Sequence, residues 1–311
     1  MATAPFVIIP ELTAIAIAYR NPSDAYIADI VMPRTRPVAT KEFQYAEYDL
    51  SAFDRPDTRV GRKGRPNEVG KSDKLLAAAI EDYGLEDPIP QDDIDQGRVM
   101  KRDILGEAVE YIMGLITLDR ECRVAAVAQN AANYDAANVL ALAGAAQFSH
   151  ADSDPVNTLL AGLDKPMLRP NTVVMSAPVW SKLRVHKKVL AAIYPNGTGG
   201  MVSREQFASL LEIKTLAVGA AFVNTARKGQ AATLARTWGN NICMLHLDPS
   251  ASSQKGVTWG MTVPYGAPVG GTIDDPYIGL RGGKRVRAGE SLKELVTARG
   301  AGFLVQNVLA A

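Results

Sequence analysis

Arg169-Pro170-Asn171-Thr172-Val173-Val174-Met175-Ser176-Ala177-Pro178-Val179-Trp180 changes its period in mid-course. Thr172 to Met175 is a short apolar run with the pattern of a strand. Ala177-Pro178 then places proline at the opening of a helix, where its missing N–H costs nothing. Upstream, Asp154-Pro155 reads as an N-cap followed by proline at the first helical position. Downstream, Ser203 and Gln206 form a capping box ahead of Phe207, Leu210 and Leu211. Leu216 to Val223 and Ile242 to Leu247 read as buried strands, and Pro195-Asn196-Gly197-Thr198-Gly199-Gly200 as a flexible loop. Residues 154–249 thus alternate short helices and strands. The class is α+β.

Before this stretch lies a long helical pattern. From Asp92 to Asn133 there is no proline, and Leu105, Ala108, Val109, Ile112, Met113 and Ile116 recur at three- and four-residue spacing, one apolar stripe on a helix. Asp92, Asp93 and Asp95 sit near its start, where negative charge complements the helix dipole. Unbroken, it would span roughly 60 Å. Gly97, Gly106 and Gly114 each weaken it and mark places for a bend or a break.

Further upstream, Phe43, Tyr45 and Tyr48 alternate with polar neighbours as in a strand, and Lys74 to Ile80 fits strand or helix by local pattern alone. Ser51 to Lys74 holds almost no apolar residue. It carries seven basic residues (Arg55, Arg59, Arg62, Lys63, Arg65, Lys71, Lys74) and four acidic ones (Asp54, Asp57, Glu68, Asp73). That far exceeds the usual connection of about 4–6 residues, and two strand-like flanks favour an extended hairpin with a charged tip. The first 37 residues contain Pro10, Pro22, Pro33 and Pro37 and suit an arm lying on something else. From Gly256 the chain is strand-rich and ends in an apolar run, Phe303 to Leu309.

Among 311 residues, 34 Lys and Arg against 33 Asp and Glu leave a net charge of +1, which argues against a protein living by a basic surface. Hydrophobic residues at 47% and charged residues at 22% exclude wholesale disorder. Cys122 and Cys243 are too few for a disulfide framework or a structural zinc site and point to a reducing compartment. Pro5 to Tyr19 is interrupted by Pro10-Glu11, and Val124 to Ala146 by Gln129, Asn130, Asn133, Asp135 and Asn138. Neither offers the roughly 20 clean apolar residues of a bilayer crossing.

Motifs that would carry chemistry fail on spacing. Gly64-Arg65-Pro66-Asn67-Glu68-Val69-Gly70-Lys71-Ser72 has five residues where a phosphate-binding loop needs four, and no apolar strand leads into it. His150-Ala151-Asp152-Ser153-Asp154 reads as a surface turn whose last Asp caps the next helix. Cys243 and His246, three apart in a predicted strand, point to opposite faces. Cys122 reads as a small packing residue, and His186, beside Lys187 and Lys188, as a surface histidine. Asn196 to Gly200 has no strand running directly into it to make a phosphate cradle. Neither a Gly-x-Ser-x-Gly elbow nor a His-Glu-x-x-His motif occurs.

The order of parts, together with Arg169 to Trp180, Leu183 and His186, is similar to the major capsid proteins of tailed bacteriophages, whose fold is shared with herpesvirus shells and encapsulins. Asn224-Thr225-Ala226, Gly229-Gln230, Trp238-Gly239-Asn240 and Val257-Thr258-Trp259-Gly260 continue the likeness. Leu118-Asp119-Arg120-Glu121-Cys122-Arg123-Val124-Ala125 resembles the end of that family's spine helix. The likeness in residues covers about 100–310; the arm and hairpin match in architecture.

The resemblance implies an N-terminal arm over 1–37, an E-loop over 38–83, a peripheral domain over 84–153 with 255–311, and an axial domain over 154–254. It implies a structural, non-enzymatic protein that self-assembles into pentamers and hexamers of an icosahedral shell around double-stranded DNA. Near-neutral charge suits that role, since hundreds of strongly basic copies would hold the genome tightly. Its expected partners are further copies of itself, a separate scaffolding protein, a portal and a decoration protein, with no membrane. It assembles in the host cytoplasm and resides in the virion. Some members begin with a long cleavable scaffolding segment, which this sequence does not show. The resemblance assigns no catalytic, cofactor-binding or metal-binding residue, and nothing in the sequence assigns the isopeptide cross-link found in some members. The alternatives are an encapsulin-type compartment of the same fold and, in a different class, a nucleotide-dependent enzyme using Gly70-Lys71-Ser72.

Overall fold

The computed structural model of the chain describes residues 7–8, 26–47, 55–69, 74–195, 197, 200–227, 229–252 and 255–310. Among them, two five-stranded sheets carry the fold. The first runs β5 (Val139–Ala141), β14 (Gly302–Gln306), β10 (Ile242–Leu245), β6 (Thr172–Ser176), β7 (Thr215–Gly219). At its centre β10 is antiparallel to both neighbours, with Cys243 opposite Val174 on one side and Leu304 on the other. The outer pairs, β6 with β7 and β14 with β5, are parallel.

Every residue of β6 and β10 is buried, which is why both read as continuous apolar runs rather than alternating ones. The period of two divides them between two cores. Val173, Met175, Ile242, Met244, Phe303 and Val305 meet residues of α4 (Pro155–Asp164) and α5 (Ala177–Leu183), including Leu159, Leu163 and Trp180. Val174, Cys243, Leu245 and Leu304 belong to a second core with Val124, Ala128, Trp238 and Trp259. Two strands of this sheet, β5 and β14, come from outside residues 154–254, and β14 pairs the otherwise open edge of β10.

The second sheet is built on β13 (Gly283–Val296). β4 (Glu81–Pro90) lies on one side of it, and β12 (Val269–Asp275) and β11 (Gly260–Pro264) lie in succession on the other. β1 (Val7–Ile8) borders β12. Val286 and Ala288 pack against Val109, Ile112, Met113 and Ile116 of the long helix α3 (Ile104–Ala128).

The helical pattern over 92–133 is interrupted. A first helix, α2 (Gln91–Val99), ends before a turn in which Lys101 takes φ 55°, and α3 begins at Ile104. Asp103 makes the break by accepting a hydrogen bond from the Gly106 N–H (3.0 Å), a new N-cap inside the apolar pattern. Gly97 permits the fold-back, because a Cβ there would collide with the Ile104 side chain. Gly114 lies within α3 without breaking it.

Lys74 to Ala79 resolves as strand β3, antiparallel to β2 (Glu42–Glu47), so the predicted hairpin stands. Leu216 to Val223 is not one strand. β7 stops at Gly219, where a Cβ would collide with the Trp238 ring, and β8 (Phe222–Asn224) pairs with β9 (Leu234–Arg236) in a separate hairpin. The short helix α1 (Ala28–Val31) is packed into the second core through Ile27, Ala28, Val31 and Met32, so the last residues of the predicted arm are part of the body.

Candidate assembly surface

The apolar stripe of α3 continues past Ile116 to Val124, Ala125 and Ala128, and on that stripe sit two charged residues, Arg120 and Glu121. Both are buried, at 1% and 0% exposure. The Glu121 carboxylate accepts the backbone N–H of Ile27 (3.0 Å) and of Ala28 (2.7 Å). Those groups open α1, whose N-cap Ile27 has no side-chain acceptor of its own, so Glu121 caps that helix from a distant part of the chain. It also accepts the indole N–H of Trp238 at 2.5 Å. Burial pushes this carboxyl above the ordinary glutamate range; the three donors oppose that push without cancelling it.

Arg120 faces the other way along the same segment. Its guanidinium donates to Asp29 (2.6 Å), the Met32 carbonyl (3.3 Å) and the Thr262 hydroxyl (3.2 Å). From there the chain runs beside β11, with Thr262 N–H bonded to the Pro33 carbonyl and Val38 N–H to that of Pro264, both at 2.9 Å. Arg34 reaches the buried Glu290 at 2.8 Å. Helix, sheet and arm root are thereby joined at one polar node.

From this root the hairpin leaves. Its base is apolar: Val38, Phe43, Tyr45 and Ala78 cover Ile80, Met261, Val263 and Leu295. Beyond the base, every residue from 55 to 69 is exposed. Within the tip only local bonds form: Arg59 N–H to the Asp57 carboxylate (2.9 Å) and a turn closed by Gly64 N–H on the Gly61 carbonyl (2.9 Å). Arg62 and Lys63 are the two central residues of that turn. Among its described residues, the projection places none in the core of its own chain.

Charge pairs lie along the second sheet. Arg123 bonds Glu294 (3.1 Å) and Asp119 and lies over the Tyr83 ring, 3.6 Å from its centre. Arg285 meets Asp275 (2.6 Å), Arg287 meets Glu86, Lys293 meets Glu81, and Arg281 meets Asp92 (2.9 Å). Exposed pairs of this type contribute about 0–1 kcal/mol each.

The residues singled out for chemistry are scattered. The glycine-rich 64–72 stretch lies at the hairpin tip as far as residue 69; Gly70, Lys71 and Ser72 fall outside the described residues, as do Asn196, Thr198 and Gly199 of the loop at 195–200. Asp154 caps α4 through the Asn157 N–H (3.2 Å), as the turn reading expects. His186 is not on the surface: it is 7% exposed, with Nδ1 accepting the Lys188 N–H and Nε2 3.2 Å from the Ser153 hydroxyl. It caps α6 (Lys187–Ile193). Cys243 faces the second core while His246 lies beyond the strand end, with Nδ1 3.0 Å from the Arg169 carbonyl oxygen. Burial pushes the Cys243 thiol up to about 12 and raises that of Cys122, so both are protonated at neutral pH. Among the described residues, no group of three His, Cys, Asp or Glu side chains is placed to hold a metal ion, and no helix is long and apolar enough to cross a membrane.

No motif in the sequence singles out the Arg120–Glu121 node. Its trace in the sequence is two adjacent opposite charges on positions the apolar stripe should occupy.

A two-sheet body with a welded arm root and a charged hairpin reaching past its own core has the form of a subunit completed by its neighbours. The comparisons agree. The chain is 45% identical to the major capsid protein of Pseudomonas phage JBD67 over 315 aligned positions, covering 100% of both proteins. It shares the fold of a phage-related protein from Bordetella bronchiseptica RB50, with a TM-score of 0.76 over 99% of this chain and 100% of that one at 20% identity. It also shares the fold of the cyanophage P-SCSP1u capsid, with a TM-score of 0.54 over 93% and 90% of the chains at 12% identity. No protein-family model matches it. The chain belongs to the bacteriophage major capsid proteins.

Proposed function

We propose that this chain assembles with copies of itself into pentamers and hexamers of an icosahedral shell that encloses packaged double-stranded DNA. The observation carrying the reading is the hairpin, whose tip from 55 to 69 is exposed throughout and needs contacts outside its own subunit to be held. On this reading, residues 1–37 and 38–83 are arm and E-loop. Residues 84–153 with 255–311 are the peripheral domain, and 154–254 the axial domain that meets at capsomer centres. The role is structural rather than catalytic, and assembly takes place in the host cytoplasm. A separate scaffolding protein, a portal and a decoration protein complete the particle. A net charge of +1 supports DNA filling, since the shell then neither binds the genome tightly nor repels it.

Nuclease treatment of purified particles, followed by extraction, tests the content. Protected double-stranded DNA is the expected result. Shells that carry a protein cargo and no DNA would favour a compartment instead.

A further inference from the structure

The net charge of +1 is made of unlike parts. Residues 154–254 hold eleven Lys and Arg against five Asp and Glu, a charge of +6, so the rest of the chain carries −5. The asymmetry sharpens over 165–204, forty residues with seven cations and no acid. Three of the seven are engaged: Arg169 pairs with Asp164, Lys188 pairs with Asp154, and Lys165 lies over the Phe303 ring. Lys182, Arg184, Lys187 and Arg204 take part in no ion pair among the described residues.

The fold gathers these four on one face. Leu183 of α5, Val189 of α6, and Val202 and Phe207 at the start of α7 (Arg204–Leu210) fill the first core. The charged residues between them are thereby turned away from the sheet. Lys182, Lys187 and Arg204 are exposed, and Arg184 is half-buried, its guanidinium carbon 6.0 Å from the centre of the Trp180 ring. The Val202 N–H bonds the Arg184 carbonyl at 3.0 Å, which brings the start of α7 beside the turn between α5 and α6. The result is a rigid cationic face on the helix layer.

We infer that this face binds the phosphate backbone of nucleic acid and, in the shell, is the side of the subunit turned to the packaged DNA. The inference rests on the proposed DNA filling and names the surface that meets it. Four cations with no acid among them offer no acceptors with which to read bases, but they match a row of phosphates. The surplus negative charge of the rest of the chain favours approach of a polyanion from this side. Residues 55–69 form the other basic stretch, five cations against Asp57 and Glu68, and serve as the control. Val185 and Met201, 45% and 62% exposed, adjoin the cationic face, which makes an acidic protein segment the competing occupant.

The salt dependence of binding tests the contact in the full-length chain, with a labelled random-sequence duplex followed by anisotropy. Each phosphate neutralised contributes about 0.9 to the slope of log K against log salt. Lys182→Gln with Lys187→Gln and Arg204→Gln should therefore lower that slope by about 2–3, with circular dichroism confirming the fold. Arg62→Gln with Lys63→Gln should leave it unchanged. An unchanged slope in the triple variant, or a larger loss in the hairpin variant, would overturn the proposal. So would a poly-glutamate peptide that binds the parent where duplex DNA does not, which would assign the face to an acidic protein.

Acetylation of DNA-filled particles, and of the same particles after their DNA is released, reads the contact in the shell. Lys182 and Lys187 should be modified several-fold less in the filled particles, and Lys101, exposed outside this face, equally in both. Equal modification of Lys182 and Lys187 in the two would overturn the proposal. Particles that hold no DNA would defeat the filling itself, an outcome distinct from filled particles whose lysines are unprotected.

Discussion

Trp238 donates its indole N–H to Glu121 across 2.5 Å, joining residues 117 positions apart in the sequence. The same carboxylate holds the start of α1 through Ile27 and Ala28, so one side chain ties the long helix, the arm root and the turn into β10. Among the described residues, no cationic group bonds that carboxylate directly. Arg120, its neighbour, is turned to Asp29, Met32 and Thr262. The node is held by neutral donors in a dry place, where a lost partner is expensive.

Glu121→Ala strands three buried donors and is expected to destabilise the subunit by about 3 kcal/mol. Glu121→Gln keeps an acceptor and should cost less. Urea denaturation below the assembly concentration measures both, and a loss under about 0.5 kcal/mol for the alanine variant would deny the node its role.

The pH dependence has a definite sign. Burial raises the Glu121 carboxyl above its unfolded value of about 4.3, so the folded chain holds this proton more tightly than the unfolded one. Its contribution to stability is then fully present below about pH 4.3 and falls as pH rises through the folded value. The stability of the parent minus that of Glu121→Gln should therefore decline as pH rises above about 4.3. A flat difference would mean that the carboxyl is not desolvated.

Replacing Asp54 to Gly70 with a short Gly-Ser linker should leave the subunit folded, since none of the described residues of this tip is buried. Shells of that variant should fail to form, or dissociate at milder heat or salt than the parent. Circular dichroism checks the first half, and light scattering with microscopy the second. Shells of parental stability would remove the hairpin from assembly.

Nucleotide chemistry is not expected. The glycine spacing at 64–72 is one residue too long to wrap a phosphate, so Lys71→Ala should leave any trace ATP binding unchanged. Saturable micromolar binding abolished by that substitution would restore the enzyme alternative.

What the sequence displays best is local chemistry that agrees with the tertiary outcome. The Ser203–Gln206 capping box forms with both reciprocal bonds, at 3.2 and 3.0 Å, and Thr172 to Met175 lies within β6. The hairpin is legible because its strands carry apolar residues and its tip carries almost none. Features set by distant partners were hidden. The stop of β7 at Gly219 depends on Trp238, and the burial of His186 on Ser153 and the 150–153 turn. The helix break at 100–103 was open to the eye only as weakening glycines, whereas Asp103 makes it. Arg120 and Glu121 lie in the stretch that carries the family likeness, yet their role depends on Ile27, Asp29 and Trp238, which only the fold brings alongside.

The most direct test of the account is negative-stain electron microscopy of the purified chain, alone and co-expressed with the proposed scaffolding protein, across salt and pH. Pentamers, hexamers or closed icosahedral shells are the predicted result. A strictly monomeric species under every one of those conditions would contradict it.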